Sequence, residues 1–223
     1  PIYGERDVVD LAAMRELGLP FWLAGSYGSP DQLADARAQG AAGVQMGTAF
    51  AFCDESGLTA DLKRRVIEKS REGKLDVFTD PSASPAGFPF KVLQIEDTLA
   101  DDQLYAERQR VCDLGYLRQA YQKEDGKVGW RCSAEPVDQY LAKGGTLEDT
   151  AGRKCICNGL FSNIGLAQWR DGDLEKRLVT CGNDVNQIVQ FLPSTDATSY
   201  SARDVIRRVL QLAEPAAKQF AAL

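Results

Sequence analysis

The first third of the chain alternates between two patterns of hydrophobic positions. Residues 6–17 carry apolar side chains at roughly helical spacing and are followed by Gly18, which predicts a helix that stops there. Residues 19–24 form a short, nearly continuous apolar run, and residues 41–50 supply a second such run that turns into a glycine-containing loop. Runs of this kind are typical of strands covered on both faces, as in a parallel sheet.

Helix signals separate and follow these two predicted strands. Ser29 as N-cap, a proline at the first helical position and Gln32 at the capping-box position predict a helix over residues 30–39. A second helix is predicted over residues 60–71, capped by Thr59. Strand, loop, helix, strand, loop, helix is the order of βαβ units in an α/β protein.

The alternation stops near residue 75, which divides the chain into residues 1–75 and a helix-rich extension over 76–223. Residues 76–94 are proline-rich and predicted irregular, with a short strand at 92–95. Further helices are predicted over residues 99–122, 136–142, 154–168, 183–191 and 202–222.

Composition narrows the classes of function. The chain is 44% hydrophobic and 26% charged, the balance of a globular protein, and its net charge of −6 argues against a nucleic-acid partner. No apolar run approaches the ~20 residues that cross a bilayer, so we expect no membrane partner and a cytoplasmic protein. The chain has no histidine, which excludes imidazole as base or metal ligand from this chain alone.

The six cysteines are scattered and are expected to be reduced thiols. Cys155 and Cys157, with Cys112, Cys132 and Cys181, invite a thiolate metal site, but their spacing matches no zinc pattern, and no metal site is predicted. The adjacent acids at 101 and 102 precede a predicted helix and are interpreted as a solvated cap.

Two glycine-containing loops carry the strongest chemical signal. The loop at 25–28 follows the first predicted strand and precedes a helix, and the loop at 47–48 follows the second strand. Glycines let a backbone approach an anion, and a helix N-terminus favours negative charge, so the pair indicates a phosphate site. The alternative is that both are ordinary βα turns in which glycine serves only chain reversal.

These loops belong to recognisable motifs. Residues 22–30 (WLAGSYGSP) and 40–50 (GAAGVQMGTAF) resemble the AGGxG and GAxGVQxGTxF motifs of the nitronate monooxygenase (2-nitropropane dioxygenase-like) family of flavoproteins. The similarity continues at 79–81 (TDP), 87–91 (GFPFK) and 153–160 (RKCICNGL), as in a longer subgroup with a C-terminal extension.

The resemblance implies the C-terminal part of a (β/α)8 TIM barrel, followed by that extension. It also implies FMN as cofactor and the oxidation of alkyl nitronates by O2 to a carbonyl compound and nitrite. The FMN phosphate would lie on Gly25, Ser26, Gly28, Gly47 and Thr48, with Tyr27 and Gln45 near the ribityl chain or phosphate. Ser26 departs from the glycine of many family members. The chain looks like the C-terminal portion of such an enzyme, and its catalytic base is not identified.

Two other functions stay open. Flavin enoyl reductases that use NAD(P)H share the phosphate loops, and either enzyme would have a small-molecule substrate. A non-catalytic half-barrel subunit is the third candidate, because two barrel units alone expose sheet edges that another polypeptide ought to cover. The partner would be the missing N-terminal barrel portion or a second copy of the chain.

Overall fold

The computed structural model describes residues 4–212 as a mixed α/β structure of short helices and small two-stranded sheets. The α-helices are α1 Leu11–Glu16, α2 Pro30–Ala38, α3 Thr48–Ala51, α4 Ala60–Arg71, α5 Asp102–Glu107, α6 Val137–Ala142, α7 Ile156–Asn163 and α8 Ala202–Leu210. The strands are β1 Trp22–Ala24, β2 Gly43–Gln45, β3 Asp76–Asp80, β4 Phe90–Gln94, β5 Gln119–Gln122, β6 Val128–Arg131, β7 Trp169–Arg170 and β8 Asp173–Leu174. Segments of 3-10 helix lie at Glu5–Asp7, Glu148–Thr150 and Asn183–Phe191.

The βαβ unit predicted at the start of the chain is confirmed. β1 and β2 pair in parallel, with Leu23 opposite Val44, and α2 connects them. The capping box forms as expected, since Ser29 Oγ accepts from the backbone of Gln32 and the Gln32 side chain accepts from the backbone of Ser29. Because parallel strands end at the same edge of their sheet, the loops that follow β1 and β2 lie side by side.

The bounds of α4 match the prediction, but the predicted N-cap hydrogen bond to the Thr59 side chain is not formed. Thr59 occupies the N-cap position without a side-chain cap hydrogen bond. Its hydroxyl instead accepts a 3.1 Å hydrogen bond from Nη2 of Arg177. One face of α4 buries Leu62, Val66 and Ile67 in the core, as the spacing of its apolar positions requires.

The prediction for residues 76–94 is confirmed in part: the short strand expected at 92–95 is present as β4, and residues 81–89 are irregular, but strand β3 was not expected. β3 and β4 form an antiparallel hairpin in which Val77 lies opposite Leu93. The prolines that suggested irregularity, at 81, 85 and 89, all fall in the connection between the strands. A proline there removes no ladder hydrogen bond, so the composition of the whole stretch concealed the strand at its start.

The long helix predicted over residues 99–122 is wrong. Asp101 caps α5 by accepting from the backbone amides of residues 103 and 104, which confirms the cap, but the helix ends at Glu107. Arg108 turns to extended backbone, and its buried guanidinium pairs with Glu175 at 2.9 Å between Nε and Oε1. This tertiary ion pair overrides local helix propensity, and the chain continues into the β5–β6 hairpin.

Other helices are shorter than the sequence indicates. The helix predicted over 6–17 is divided between a 3-10 turn and α1, and the one predicted over 154–168 is reduced to α7. The segment at 183–191 is 3-10 rather than α. The helix at 136–142 is confirmed as α6. Of the helix predicted over 202–222, α8 covers residues 202–210 and ends there, since Gln211 is in the left-handed region; the prediction beyond residue 212 lies outside the described residues.

The main core joins residues from both sides of residue 75. Phe52, Leu62 and Ile67 pack in one cluster with Ile188 and Tyr200, among others. The described part of the chain therefore has a shared interior that includes α4, β4, the 3-10 helix Asn183–Phe191 and α8. The boundary near residue 75 stays a prediction.

None of the helices within residues 4–212 is long and apolar enough to cross a bilayer. The TIM barrel stays a proposal, because within residues 4–212 the only parallel pairing is that of β1 with β2. The cytoplasmic location likewise stays a prediction.

Candidate functional site

The two predicted loops line one open cavity of about 450 Å³ at the carboxyl ends of β1 and β2. Six of the seven predicted site residues border it, namely Gly25, Ser26, Tyr27, Gln45, Gly47 and Thr48. The seventh, Gly28, is buried behind them, and a Cβ on it would lie 3.6 Å from Oδ2 of Asp184, another cavity residue. The predicted site residues therefore come together in space.

The turn after β1 has an unusual backbone. Gly25 and Ser26 are consecutive residues with positive φ, at 93° and 63°. Positive φ favours glycine at the first position and is uncommon for a serine at the second. The backbone amides of Ser26, Tyr27 and Gly28 have no hydrogen-bond acceptor among residues 4–212. Successive unbonded amides in a turn are the donor set of an anion site.

Gly47 has no structural reason within the described residues to be glycine. Its φ of −109° is open to any residue, and a Cβ built on it meets no atom within 4 Å. Gly25 also faces open space, although its φ does favour glycine. The cavity thus leaves room at both loops for another group to approach the backbone closely.

The hydroxyl of Thr48 forms two hydrogen bonds within the protein. Its buried hydroxyl donates to Oδ1 of Asp184 at 2.8 Å and accepts from the amide of Gly182, also at 2.8 Å. A Cβ on Gly182 would lie 2.6 Å from that carboxylate oxygen and 2.7 Å from the threonine hydroxyl oxygen. Glycine at 182 is therefore required for this close approach.

Sequence reasoning did not find the third wall of the cavity. This wall consists of Thr180, Cys181, Gly182 and Asp184. These residues are more than 130 positions from the loops they face, and their own sequence carries no motif of a binding site. Only the packing of the 177–184 segment beside β4, with the amide of Leu93 donating to the carbonyl of Val179, brings them there.

The charged side chains that line the cavity are of one sign, negative. Within residues 4–212, its lining includes one acid, Asp184, and no basic residue. Burial, and then the charge of Asp184, raise the pKa of Cys181 to about 12, so this thiol is neutral at physiological pH. The ammonium of Lys91 donates at 2.7 Å to Oδ1 of Asn183, the residue between Gly182 and Asp184, and Lys91 itself does not line the cavity.

The cavity offers two chemically different kinds of group. The unbonded amides of residues 26–28 suit an anion, whereas the carboxylate of Asp184 repels one and accepts hydrogen bonds from hydroxyl groups. Tyr27, which also lines the cavity, is half-buried and packs against the small cluster of Phe21, Ala36 and Ala41.

Within residues 4–212, no group of three or more His, Cys, Asp or Glu side chains is arranged to coordinate a metal ion. The polar groups that line the cavity are backbone amides, the side chains of Ser26, Tyr27, Gln45, Thr48, Thr180 and Cys181, and the carboxylate of Asp184.

Comparison with known proteins adds no family. No protein-family model matches the chain, and a search of curated proteins found no match. The fold and cavity themselves define a mixed α/β protein with a polar site at the carboxyl ends of two parallel strands.

Proposed function

We propose that this chain holds the phosphate end of FMN in a flavin-dependent oxidoreductase that resembles the nitronate monooxygenases. Its βαβ unit would be the last part of a (β/α)8 barrel. The observation that carries the proposal is the meeting of two loops, after neighbouring parallel strands, around one cavity with unbonded amides. Phosphate sites of barrels are frequently built from the loops after the last two strands.

The two kinds of polar group in the cavity could serve the two polar parts of the cofactor tail. The amides of residues 26–28 would hold the phosphate, and Gly25 and Gly47 leave space for it beside the backbone. Asp184 would accept hydrogen bonds from hydroxyls of the ribityl chain, since its carboxylate disfavours a neighbouring phosphate. Gln45, exposed at the end of β2, faces the same cavity.

FMN, when bound, would supply the redox chemistry that oxidises a nitronate to a carbonyl compound and nitrite with O2. This chain would bind and orient the cofactor. It contains no histidine, and no residue of the cavity is assigned as the catalytic base. An enoyl reductase with the same loops would consume NAD(P)H instead, so the two reactions are separated by assaying nitronate-dependent O2 uptake against NAD(P)H oxidation.

The test of the site is FMN binding with a charge introduced at the loop. Gly47→Asp places a carboxylate in the cavity, while aspartate at an N-cap favours the start of α3, so folding is retained. We expect FMN affinity, measured by quenching of flavin fluorescence, to fall at least roughly tenfold, which is about 1.4 kcal/mol. Gly57→Asp is the control, because Gly57 is exposed and outside the cavity. Equal affinity in both variants would reject the phosphate site.

The exposed edges of the β1–β2 sheet favour a second role, as a subunit that needs another polypeptide. Trp22 in β1 is 58% exposed and Leu19 just before it is 70% exposed. Further strands, from a barrel portion outside this chain or from a second copy, would cover both. Light scattering of the purified chain tests this proposal, and a stable monomer would contradict it.

A further inference from the structure

A lysine without a carboxylate partner lies next to the wall of the proposed flavin cavity. The ammonium of Lys91 donates to Oδ1 of Asn183 at 2.7 Å and to the hydroxyl of Thr79 at 3.4 Å. Asn183 lies between two residues that line the cavity. Among the ion pairs of residues 4–212, none includes Lys91. Both acceptors are neutral, so the positive charge of this lysine is not cancelled by them.

We propose that Lys91 supplies the positive charge with which the cavity selects a phosphorylated flavin over riboflavin. This inference rests on the proposed function, because it concerns the phosphate of the same cofactor. A phosphate monoester carries a charge of about −2 at neutral pH, whereas riboflavin has the same ribityl chain and no charge. A cation near the cavity therefore favours FMN and leaves the binding of riboflavin unchanged.

The side chains that line the cavity do not supply such a charge. The carboxylate of Asp184 is their one charged group, and it repels a phosphate. The unbonded amides of residues 26–28 can donate hydrogen bonds but carry no net charge. A cation beside the wall offsets the carboxylate, and Lys91 has that position through its contact with Asn183.

The charge of Lys91 acts on a side chain of the cavity wall. Burial is the largest cause of the raised pKa of Cys181, and the charge of Asp184 raises this pKa further. The charge of Lys91 acts in the opposite direction and lowers it. Because Cys181 lines the cavity, the ammonium and the carboxylate oppose each other at its wall.

The hairpin of β3 and β4 fixes the position of Lys91. Lys91 lies opposite Thr79 in the hairpin, and Leu93, two positions further along β4, is on the same face. Leu93 is fully buried, and its amide donates to the carbonyl of Val179 at 2.9 Å. This hydrogen bond holds the segment that contains Asn183 beside β4, where the ammonium meets it.

The ammonium acts through its charge and not as a direct ligand, because Lys91 does not line the cavity. Attraction between charges falls only with the inverse of their distance, whereas a hydrogen bond needs direct contact. The amide of a glutamine at position 91 can donate to Asn183 but has no charge. Lys91→Gln therefore separates the charge of this residue from its structural contacts.

The decisive experiment compares FMN with riboflavin by quenching of flavin fluorescence. In Lys91→Gln, we expect FMN affinity to fall roughly tenfold and riboflavin affinity to change less than about twofold. Lys91→Arg keeps the charge and should keep the FMN affinity. Lys74→Gln is the matched control, because the side chain of Lys74 is 77% exposed and lies outside the cavity. It should bind both flavins as the wild-type chain does.

A second substitution tests the opposition between Lys91 and Asp184. Asp184→Asn removes the charge that repels phosphate, so the double variant Lys91→Gln/Asp184→Asn should bind inorganic phosphate about as tightly as the wild-type chain. Phosphate affinity as low as in Lys91→Gln alone would contradict the offset. If Lys91→Gln does not fold, Asn183→Asp replaces it, because a carboxylate there pairs with the ammonium and should weaken FMN without weakening riboflavin.

The outcomes distinguish this inference from the proposed function. If the wild-type chain prefers FMN and Lys91→Gln binds FMN equally well, the flavin site stands and Lys91 is not the selecting charge. An equal loss of both flavins in Lys91→Gln would give Lys91 a structural role and would also overturn the inference. A wild-type chain that binds neither flavin would overturn the proposed function, and this inference with it.

Discussion

The hydroxyl of Thr48 donates a 2.8 Å hydrogen bond to Oδ1 of Asp184, 136 residues further along the chain. The same hydroxyl accepts from the amide of Gly182. This contact fixes the loop after β2 to the wall of the cavity and places a carboxylate inside it. In the proposed flavin site, this carboxylate would accept hydrogen bonds from hydroxyl groups and would repel a phosphate that came close to it.

Replacing that carboxylate should have opposite effects on two fragments of the cofactor. Asp184→Asn keeps an oxygen that can accept from Thr48 but removes the charge. We expect tighter binding of inorganic phosphate, by roughly tenfold, because a like charge is removed. Riboflavin, which has the ribityl chain without the phosphate, should bind more weakly, because hydrogen bonds to a charged acceptor are stronger than those to a neutral one.

Isothermal titration with each ligand measures both effects. Asp173→Asn is the control, since Asp173 lies in β8 and does not border this cavity. Unchanged affinity for both ligands in Asp184→Asn would show that the carboxylate is not part of a flavin site.

A buried lysine holds the connection between α3 and α4. The ammonium of Lys63, a residue only 9% exposed, donates to the carbonyls of Cys53, Asp54 and Ser56 at 3.1, 3.0 and 3.3 Å. Lys63→Met preserves the length of the side chain and removes all three donors. We expect the free energy of unfolding in urea to fall by roughly 2–4 kcal/mol, because buried carbonyls lose their partner.

The matched control is Arg64→Met, on the exposed face of the same helix. It should change the free energy of unfolding by less than about 0.5 kcal/mol. Similar losses in both variants would mean that the loss of a long cation from α4, rather than the three carbonyl contacts, determines stability.

The pair of Asp61 and Arg177 predicts an effect of pH. Hydrogen bonds from Arg177, at 2.7 and 3.2 Å, lower the pKa of Asp61 from 3.8 to about 2. Because the folded-state pKa is lowered, the stabilisation is present above pH 3.8 and is lost as the pH falls through about 2. In Arg177→Gln, an NMR titration of the Asp61 carboxyl should show its pKa return toward 3.8.

The control for this titration is Arg64→Gln, which leaves the pair intact. Asp61 should keep its lowered pKa in that variant. A lowered value that persists in Arg177→Gln would show that the start of α4, rather than Arg177, stabilises the carboxylate.

The packing of α7 depends on the absence of a side chain at Gly159. A Cβ there would lie 2.6 Å from Cβ of Leu178 and 3.1 Å from its backbone nitrogen. Gly159→Ala should therefore lower the free energy of unfolding by roughly 1–3 kcal/mol through overpacking, despite the higher helix propensity of alanine. Gly57→Ala is the control, because its nearest neighbour would be 3.9 Å away. A more stable Gly159→Ala variant would contradict the close packing.

Local signals predicted the elements that local interactions determine. The capping box of Ser29 and Gln32 predicted α2, and the apolar face of residues 60–71 predicted α4 with its bounds. Elements that depend on distant partners were not predicted. α5 ends because Arg108 pairs with Glu175, and β3 forms because β4 lies beside it.

In the candidate site, too, the parts that local sequence determines were predicted and the parts that depend on distant residues were not. Its two loops were visible because glycines follow two apolar runs, and the structure brings them to one cavity. The place of Asp184 and Gly182 in the cavity could not be predicted, because no local sequence pattern relates these residues to Thr48.

The shared core has a consequence for how the chain becomes folded. Phe52 and Ile67 pack in one cluster with Ile188, Tyr200 and Val205, which are synthesised later than the loops. A nascent chain that has emerged only as far as residue 75 would have its loops but no opposite wall, so the apolar face of α4 would stay in water. The two loops that line the cavity can therefore reach their final geometry only after the segment around residues 180–205 has left the ribosome.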